Sequence, residues 1–264
     1  MSRFIDILNR SSQTTAQAIG FRTTKAAQSK HRIQLVAAVS KGTTDNITDY
    51  VTGADAGLLR VSKIGSSAST LKKAIPPKSD IPWGIWPEET SQEEIQKGMK
   101  SGCDFIVLPA GATLVVPPDD SIGIIIQIDT SVAEGPLRTL NELPLDAVLV
   151  TPQSEIDSSL TWHQLMLLQR FGDLLTKPIL VSIPSNTGAD ELQLLQDAGI
   201  DGVVVETGPD QPSGETTRLR QMIDGLKPPP THKQHKMDAL LPRTSRDTET
   251  MAEIEEEDED DEDD

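Results

Sequence analysis

Arg60, Asp129 and Glu206 are the residues of this chain best suited to chemistry, because each is a charged side chain at the end of a short apolar run. A charge placed inside such a run must be paired or put to use, since burying it alone is costly. Glu206 or Asp129 has the chemistry of a general base, and Arg60 that of an anion clamp or oxyanion stabiliser. Gln127, Thr151, Gln153 and Ser182 are polar residues of similar placement, suited to orienting a substrate. Glu88 adds a carboxylate, and Trp86 offers a stacking wall. The bland alternative is an Arg60–Glu206 ion pair that serves structure alone.

The elements that must position these residues are eight apolar runs, at 34–40, 56–61, 82–87, 104–109, 122–129, 146–152, 178–184 and 201–207. Their Val, Ile and Leu content is that of strands buried on both faces. Helix-compatible segments lie between them at 46–52, 67–75, 91–101, 131–143, 161–175 and 188–198, and a last one follows at 214–226. This repeat predicts a single (β/α)8 TIM barrel of the α/β class. The connection at 110–118, with a Gly and two prolines, offers at most one turn of helix. Side chains alternate faces along a strand, so Ile125, Gln127 and Asp129 share one face, as do Leu149, Thr151 and Gln153, Leu180 and Ser182, and Val204 and Glu206. If these parities point inward, Arg60, Glu88, Gln127, Asp129, Thr151, Gln153, Ser182 and Glu206 ring the C-terminal mouth.

Helix boundaries carry their own chemistry. Ser91 and Glu94 have capping-box spacing. Gly102 and Gly199 end helices, and Asp104 and Asp201 then lead into strands. The passage 197–202, Asp-Ala-Gly-Ile-Asp-Gly, resembles the entry to strand eight in phosphate-binding (β/α)8 barrels, the group of indole-glycerol-phosphate synthase, thiamin-phosphate synthase and ribulose-phosphate epimerase. That resemblance covers 34–226 and implies a phosphate held by backbone amides after strands seven and eight. The matching positions are Ser185, Asn186, Thr187 and Gly188, and Thr207 and Gly208. Ser185 and Thr187 also suit an ordinary helix cap. The group's usual glycine pair is replaced by Ser185-Asn186, and Pro209 follows Gly208 where a further amide donor would help.

Length and ends complete the outline. The chain has 264 residues and a formal net charge of −17, of which 249–264 contributes twelve acids and no base. Removing those twelve leaves −5, and the tail is expected to be disordered, either a solubilising element or, more sharply, a mimic of nucleic acid or a tether for a basic surface on a partner or on the protein itself. Pro228, Pro229 and Pro230 end the barrel near Leu226. The expected divisions are an N-terminal helical extension (1–33), the barrel (34–226), a basic linker (227–248) and the acidic tail (249–264). The linker holds an apolar island at 237–242, which is of a size to dock on the barrel as a short turn. Phe4, Ile5 and Leu8 recur at helical spacing, so a helix over 2–19 is expected to plug the N-terminal mouth.

The acidic balance and eight aromatic residues argue against a nucleic-acid platform. No run reaches the ~18 apolar residues of a membrane span, and a cytoplasmic location is the default expectation. Cys103, the single cysteine, reads as a small buried hydrophobe. No Walker loop, GxGxxG, HExxH or GxSxG occurs, and no three-ligand metal site assembles. His163 opens the sixth helix, and Lys41 and Lys63 lie just past their strands, a poor position for a Schiff-base lysine. The reading is a barrel that binds a small anionic or phosphorylated ligand at its mouth, with lyase or isomerase chemistry there. The alternatives are a binding or scaffold barrel without catalysis and an FMN-binding barrel; no cofactor is identified by the residues themselves.

Overall fold

Each apolar run forms a strand, because a short stretch of Val, Ile and Leu hides both faces only inside a covered parallel sheet. The computed structural model describes residues 2–12, 33–40, 47–62, 80–115, 121–152, 159–208 and 214–228. The strands are β1 (Gln34–Val39), β2 (Ala56–Val61), β3 (Trp83–Pro87), β4 (Phe105–Pro109), β5 (Gly123–Asp129), β6 (Ala147–Thr151), β7 (Ile179–Ile183) and β8 (Gly202–Thr207). Each pairs in parallel with the next, and β8 pairs with β1 to close the barrel. The chain divides by compactness into residues 1–229 and 230–264. The second unit, with the expected tail and the 237–242 island, lies outside the described residues.

The helices are α1 (Arg3–Ser12), α2 (Ile47–Tyr50), α3 (Gln92–Lys100), α4 (Glu134–Leu140), α5 (Trp162–Leu174), α6 (Ala189–Asp197) and α7 (Glu215–Asp224). The helix expected at 67–75 falls outside the described residues. No helix occurs between β4 and β5 among the described residues; the chain makes one turn there, in which the Ala112 amide donates to the Pro109 carbonyl at 2.9 Å. At α3 the Ser91 hydroxyl accepts the Glu94 amide at 3.4 Å, while the Glu94 carboxylate takes Lys97 at 2.9 Å. The reciprocal capping box is found instead on α5: Thr161 donates its amide to Gln164 Oε1 at 2.9 Å, and Gln164 donates its own to Thr161 Oγ1 at 3.2 Å.

Two cores result from the strand alternation. Outward residues such as Leu35, Val148 and Val203 meet the helices, whereas Val36, Leu58, Phe105, Ile125, Leu149 and Val204 fill the barrel interior. The interior cluster also contains Phe4, Ile5 and Leu8 of α1, each 2% exposed or less. The helix therefore plugs the N-terminal mouth. It is described over Arg3–Ser12, and the remainder of the helix expected over 2–19 lies outside the described residues. Asp104, just before β4, fixes the plug by accepting the Ser2 hydroxyl at 2.7 Å and the amides of Arg3 and Phe4 at 2.8 and 2.9 Å. A carboxylate at a helix N-terminus satisfies its free amides and opposes its dipole.

Small residues make room for the plug. A Cβ on Gly84 would sit 2.2 Å from the Phe105 ring, and one on Gly123 would sit 2.5 Å from Ile5 Cγ1. Phe105 in turn lies 4.7 Å from Phe4, centroid to centroid. Aspartates one residue before a strand also tie neighbours together at this end. Asp55 accepts the Leu35 amide at 2.8 Å, Asp146 that of Ile124 at 2.7 Å and Asp201 that of Ile179 at 2.9 Å. The N-terminal face is thus given over to holding the barrel shut.

Candidate functional site

The opposite mouth is built from strand-end residues whose parity continues the interior core. Along β2, Ala56 and Leu58 point inward and Arg60 follows; along β5, Ile125 leads to Gln127; along β8, Val204 leads to Glu206. Strand register sets Arg60 opposite Trp86, Gln127 opposite Leu149, and Ala38 opposite Glu206.

Six of the expected residues meet in one connected set. Arg60 Nη1 donates to Glu206 Oε1 at 2.5 Å, and its Nε lies 3.8 Å from Glu88 Oε1. Its guanidinium carbon sits 5.1 Å from the centre of the Trp86 ring, a cation–π contact that fixes the plane of the group. Trp86 Nε1 donates to Gln127 Oε1 at 3.1 Å, Gln127 Nε2 donates to Thr151 Oγ1 at 3.2 Å, and Thr151 Oγ1 donates to the Ile128 carbonyl at 3.3 Å. The amide of Gln127 is thereby oriented at both ends. The ion pair is wet: the side chains of Arg60, Glu206 and Glu88 are 37%, 28% and 56% exposed, so solvent screens it substantially.

Several expected roles change on these contacts. Trp86, expected as a stacking wall for a ligand, is only 7% exposed and offers its face to Arg60. Asp129, expected as a base, turns to Ser131 and accepts both its amide and its hydroxyl. Those two bonds, the hydroxyl first, hold the Asp129 carboxyl below the usual carboxylate range, which makes it a weaker base. Ser182 is buried on β7, with the parity of inward-facing Leu180. Gln153, Lys41 and Lys63 are outside the described residues. His163 is exposed at the start of α5. Among the described residues no group of three or more His, Cys, Asp or Glu side chains is placed to hold a metal ion.

The loop after β7 also differs from expectation. Gly188, not Ser185 or Thr187, is the N-cap of α6. The Thr187 hydroxyl donates back to the Pro184 carbonyl at 2.7 Å, as does its amide at 3.3 Å, and the Gly188 amide goes to Glu191 Oε2 at 2.8 Å. The other Glu191 oxygen accepts the Leu160 amide. Arg218 of α7 donates to the Ser185 and Thr187 carbonyls. Two of the amides expected to cradle an anion are therefore already committed, and a carboxylate of the chain itself sits at the helix start. Asn186 lies in the turn, Thr207 is buried with its hydroxyl on the Ala38 carbonyl at 3.3 Å, and Gly208 ends the described segment.

A cavity of about 770 Å³, unnoticed in the sequence, lies outside the barrel where no helix among the described residues covers β4 and β5. Leu108, Ile124, Ile126 and Leu145 form its walls, with Leu114, 83% exposed, at its edge. Lys177 closes one end by donating to the Leu143 and Leu145 carbonyls, both at 2.6 Å. Burial, opposed by the charge of Asp146, lowers the Lys177 pKa from its ordinary value. The helix-poor stretch 110–118 was the available sequence sign of this opening.

Neither a protein-family model nor a curated protein matches the chain. Solved structures do. A thiamine phosphate pyrophosphorylase from Pyrococcus furiosus shares 11% identity over 73% of this chain and 96% of its own, with a TM-score of 0.56. The tryptophan synthase α-subunit of the same organism shares 14% identity over 73% and 97%, with a TM-score of 0.53. The likeness is one of fold. Both neighbours are TIM-barrel proteins, as the closed eight-strand barrel of this chain is. No helix among the described residues is long and apolar enough to cross a membrane.

Proposed function

We propose that this barrel binds a small phosphorylated or otherwise anionic metabolite at its C-terminal mouth, and that Glu206 moves a proton there in a lyase- or isomerase-type step. The observation that carries the reading is the state of Arg60. Its plane is set by Trp86, and Nη1 is given to Glu206. Among the described residues its Nε edge faces only Glu88, beyond hydrogen-bond reach at 3.8 Å. A guanidinium has five donors in a planar fork, so this edge suits a bidentate oxyanion. Glu206, partly buried and anchored on Arg60, then stands beside the bound anion as a carboxylate able to take a proton, with Arg60 offsetting the negative charge that develops. The phosphate in the name of the first structural neighbour agrees with this ligand class.

A second reading is a binding or scaffold barrel without turnover, with the acidic tail as its contact for a basic partner. It is favoured by Glu191, which fills the start of α6 from within the chain. Thermal-shift and calorimetric titration with inorganic phosphate and a panel of phosphorylated metabolites tests both. The first reading expects a shift that Arg60→Ala abolishes, and a turnover that Glu206→Gln abolishes while binding survives. Silence across the panel leaves the scaffold, whose tail is then tested by partner capture with and without 249–264.

A further inference from the structure

Glu88 is the carboxylate left over beside Arg60. Arg60, Glu88, Glu206 and Asp129 are the charged residues at or just past the ends of β2, β3, β8 and β5. Asp129 is committed to Ser131, and the charge of Arg60 is matched by Glu206 at 2.5 Å. Glu88 therefore stands as a second carboxylate on an already neutralised cation, 3.8 Å from Nε and too far for a hydrogen bond. Its backbone is not free to withdraw: the Glu88 amide donates to the Val61 carbonyl at 2.8 Å, and the next amide, of Glu89, to that of Ser62 at 3.3 Å. The backbone thus keeps the side chain, 56% exposed, within reach of the edge of Arg60 that an anion would use.

A bare oxyanion arriving at that edge meets Glu88 as a like charge, which is unfavourable. An oxyanion that carries its own ammonium group a short distance away converts the same carboxylate into a partner. We propose that the ligand of this mouth is a small zwitterion, an amine-bearing phosphate or an amino acid, with its acid group on Arg60 and its ammonium on Glu88. This inference rests on the anion-binding reading above and makes Glu88 the residue that sets specificity. Glu206 keeps its place on Nη1 throughout.

Calorimetric titration with O-phosphoethanolamine and ethyl phosphate, which share the phosphate and differ in the amine, tests it. The wild-type protein is expected to bind O-phosphoethanolamine roughly fivefold or more the tighter, the return of one partly exposed ion pair. In Glu88→Gln the gap should close, chiefly because ethyl phosphate binds better. Equal affinities in the wild type, or a gap that survives Glu88→Gln, overturn the zwitterion. If ethyl phosphate then still binds and Arg60→Lys or Arg60→Met weakens it, the anion reading stands without it. If neither compound binds the wild-type protein, both readings fall.

Discussion

Gly123→Ala should partly expel the N-terminal plug, and Ile5→Ala should let it back. The added methyl would lie 2.5 Å from Ile5 Cγ1 and 3.0 Å from Ser2 Oγ, against the ~3.5–4.0 Å at which carbon atoms rest. Roughly 1 Å of overlap must therefore be relieved by moving α1 or bending β5, and overpacking of this size costs about 1–3 kcal/mol. Ile5 is 2% exposed, so Ile5→Ala alone should cost about 2–5 kcal/mol through lost burial and a cavity. In the double variant the methyl added at Gly123 enters the space that the Ile5 side chain leaves. The combined loss should then fall short of the sum by about 1–2 kcal/mol, a coupling expected only of residues in contact. Urea unfolding of the four proteins measures it. Additivity within ~0.5 kcal/mol would show that α1 does not occupy the mouth in solution, and the assignment of the N-terminal face to structure would go with it.

Two further perturbations probe the mouth and the outer core. Gln127→Leu removes the acceptor of Trp86 Nε1 and the donor to Thr151, and a stranded indole N–H should cost about 1–3 kcal/mol. Because Trp86 is the platform of Arg60, weaker phosphate binding should accompany that loss; unchanged urea stability would mean the bonded chain does not form. Cys103 is predicted to shape the alkaline limb. Burial raises its thiol from an ordinary 9.0 to about 11, so its contribution is whole below pH 9.0 and is lost as pH rises through about 11. A plot of Tm against pH should fall less steeply over that window in Cys103→Ala than in the wild type, and superimposable slopes would refute the burial argument.

The barrel was legible because its signal is redundant: eight runs, each short and apolar and all but the fourth and fifth separated by a helix-compatible stretch, point to one closed arrangement of parallel strands. Strand limits came within about one residue for the same reason. The alternation rule carried the parity of Arg60, Gln127 and Glu206 as well, since a slip of one residue would have put Leu58, Ile125 and Val204 outside. Helix ends were less legible. The sequence offered Ser185 and Thr187 as caps of α6, yet Glu191, three residues past Gly188, satisfies the first amide from inside the helix. At the start of α5, Thr161 and Gln164 have the same capping spacing as Ser91 and Glu94, but the reciprocal bond depends on a side-chain rotamer that composition does not encode.

Which mouth residue rests on which was beyond the sequence for a related reason. Period two states that Arg60 and Trp86 are both available to the mouth; it does not state that the guanidinium lies on the indole face or that the indole N–H is taken by Gln127. That stacking decides the chemistry. With its face open, Trp86 would be a wall for a flat ligand; covered by Arg60, it is instead the platform that turns one guanidinium edge toward Glu206 and the other toward Glu88. The same two residues thus imply different ligands according to a single torsional choice. Selectivity at Glu88 is accordingly a sharper guide to what this barrel binds than its resemblance to other barrels, because the fold is shared by proteins of many activities and the charge left over beside Arg60 is a property of this chain.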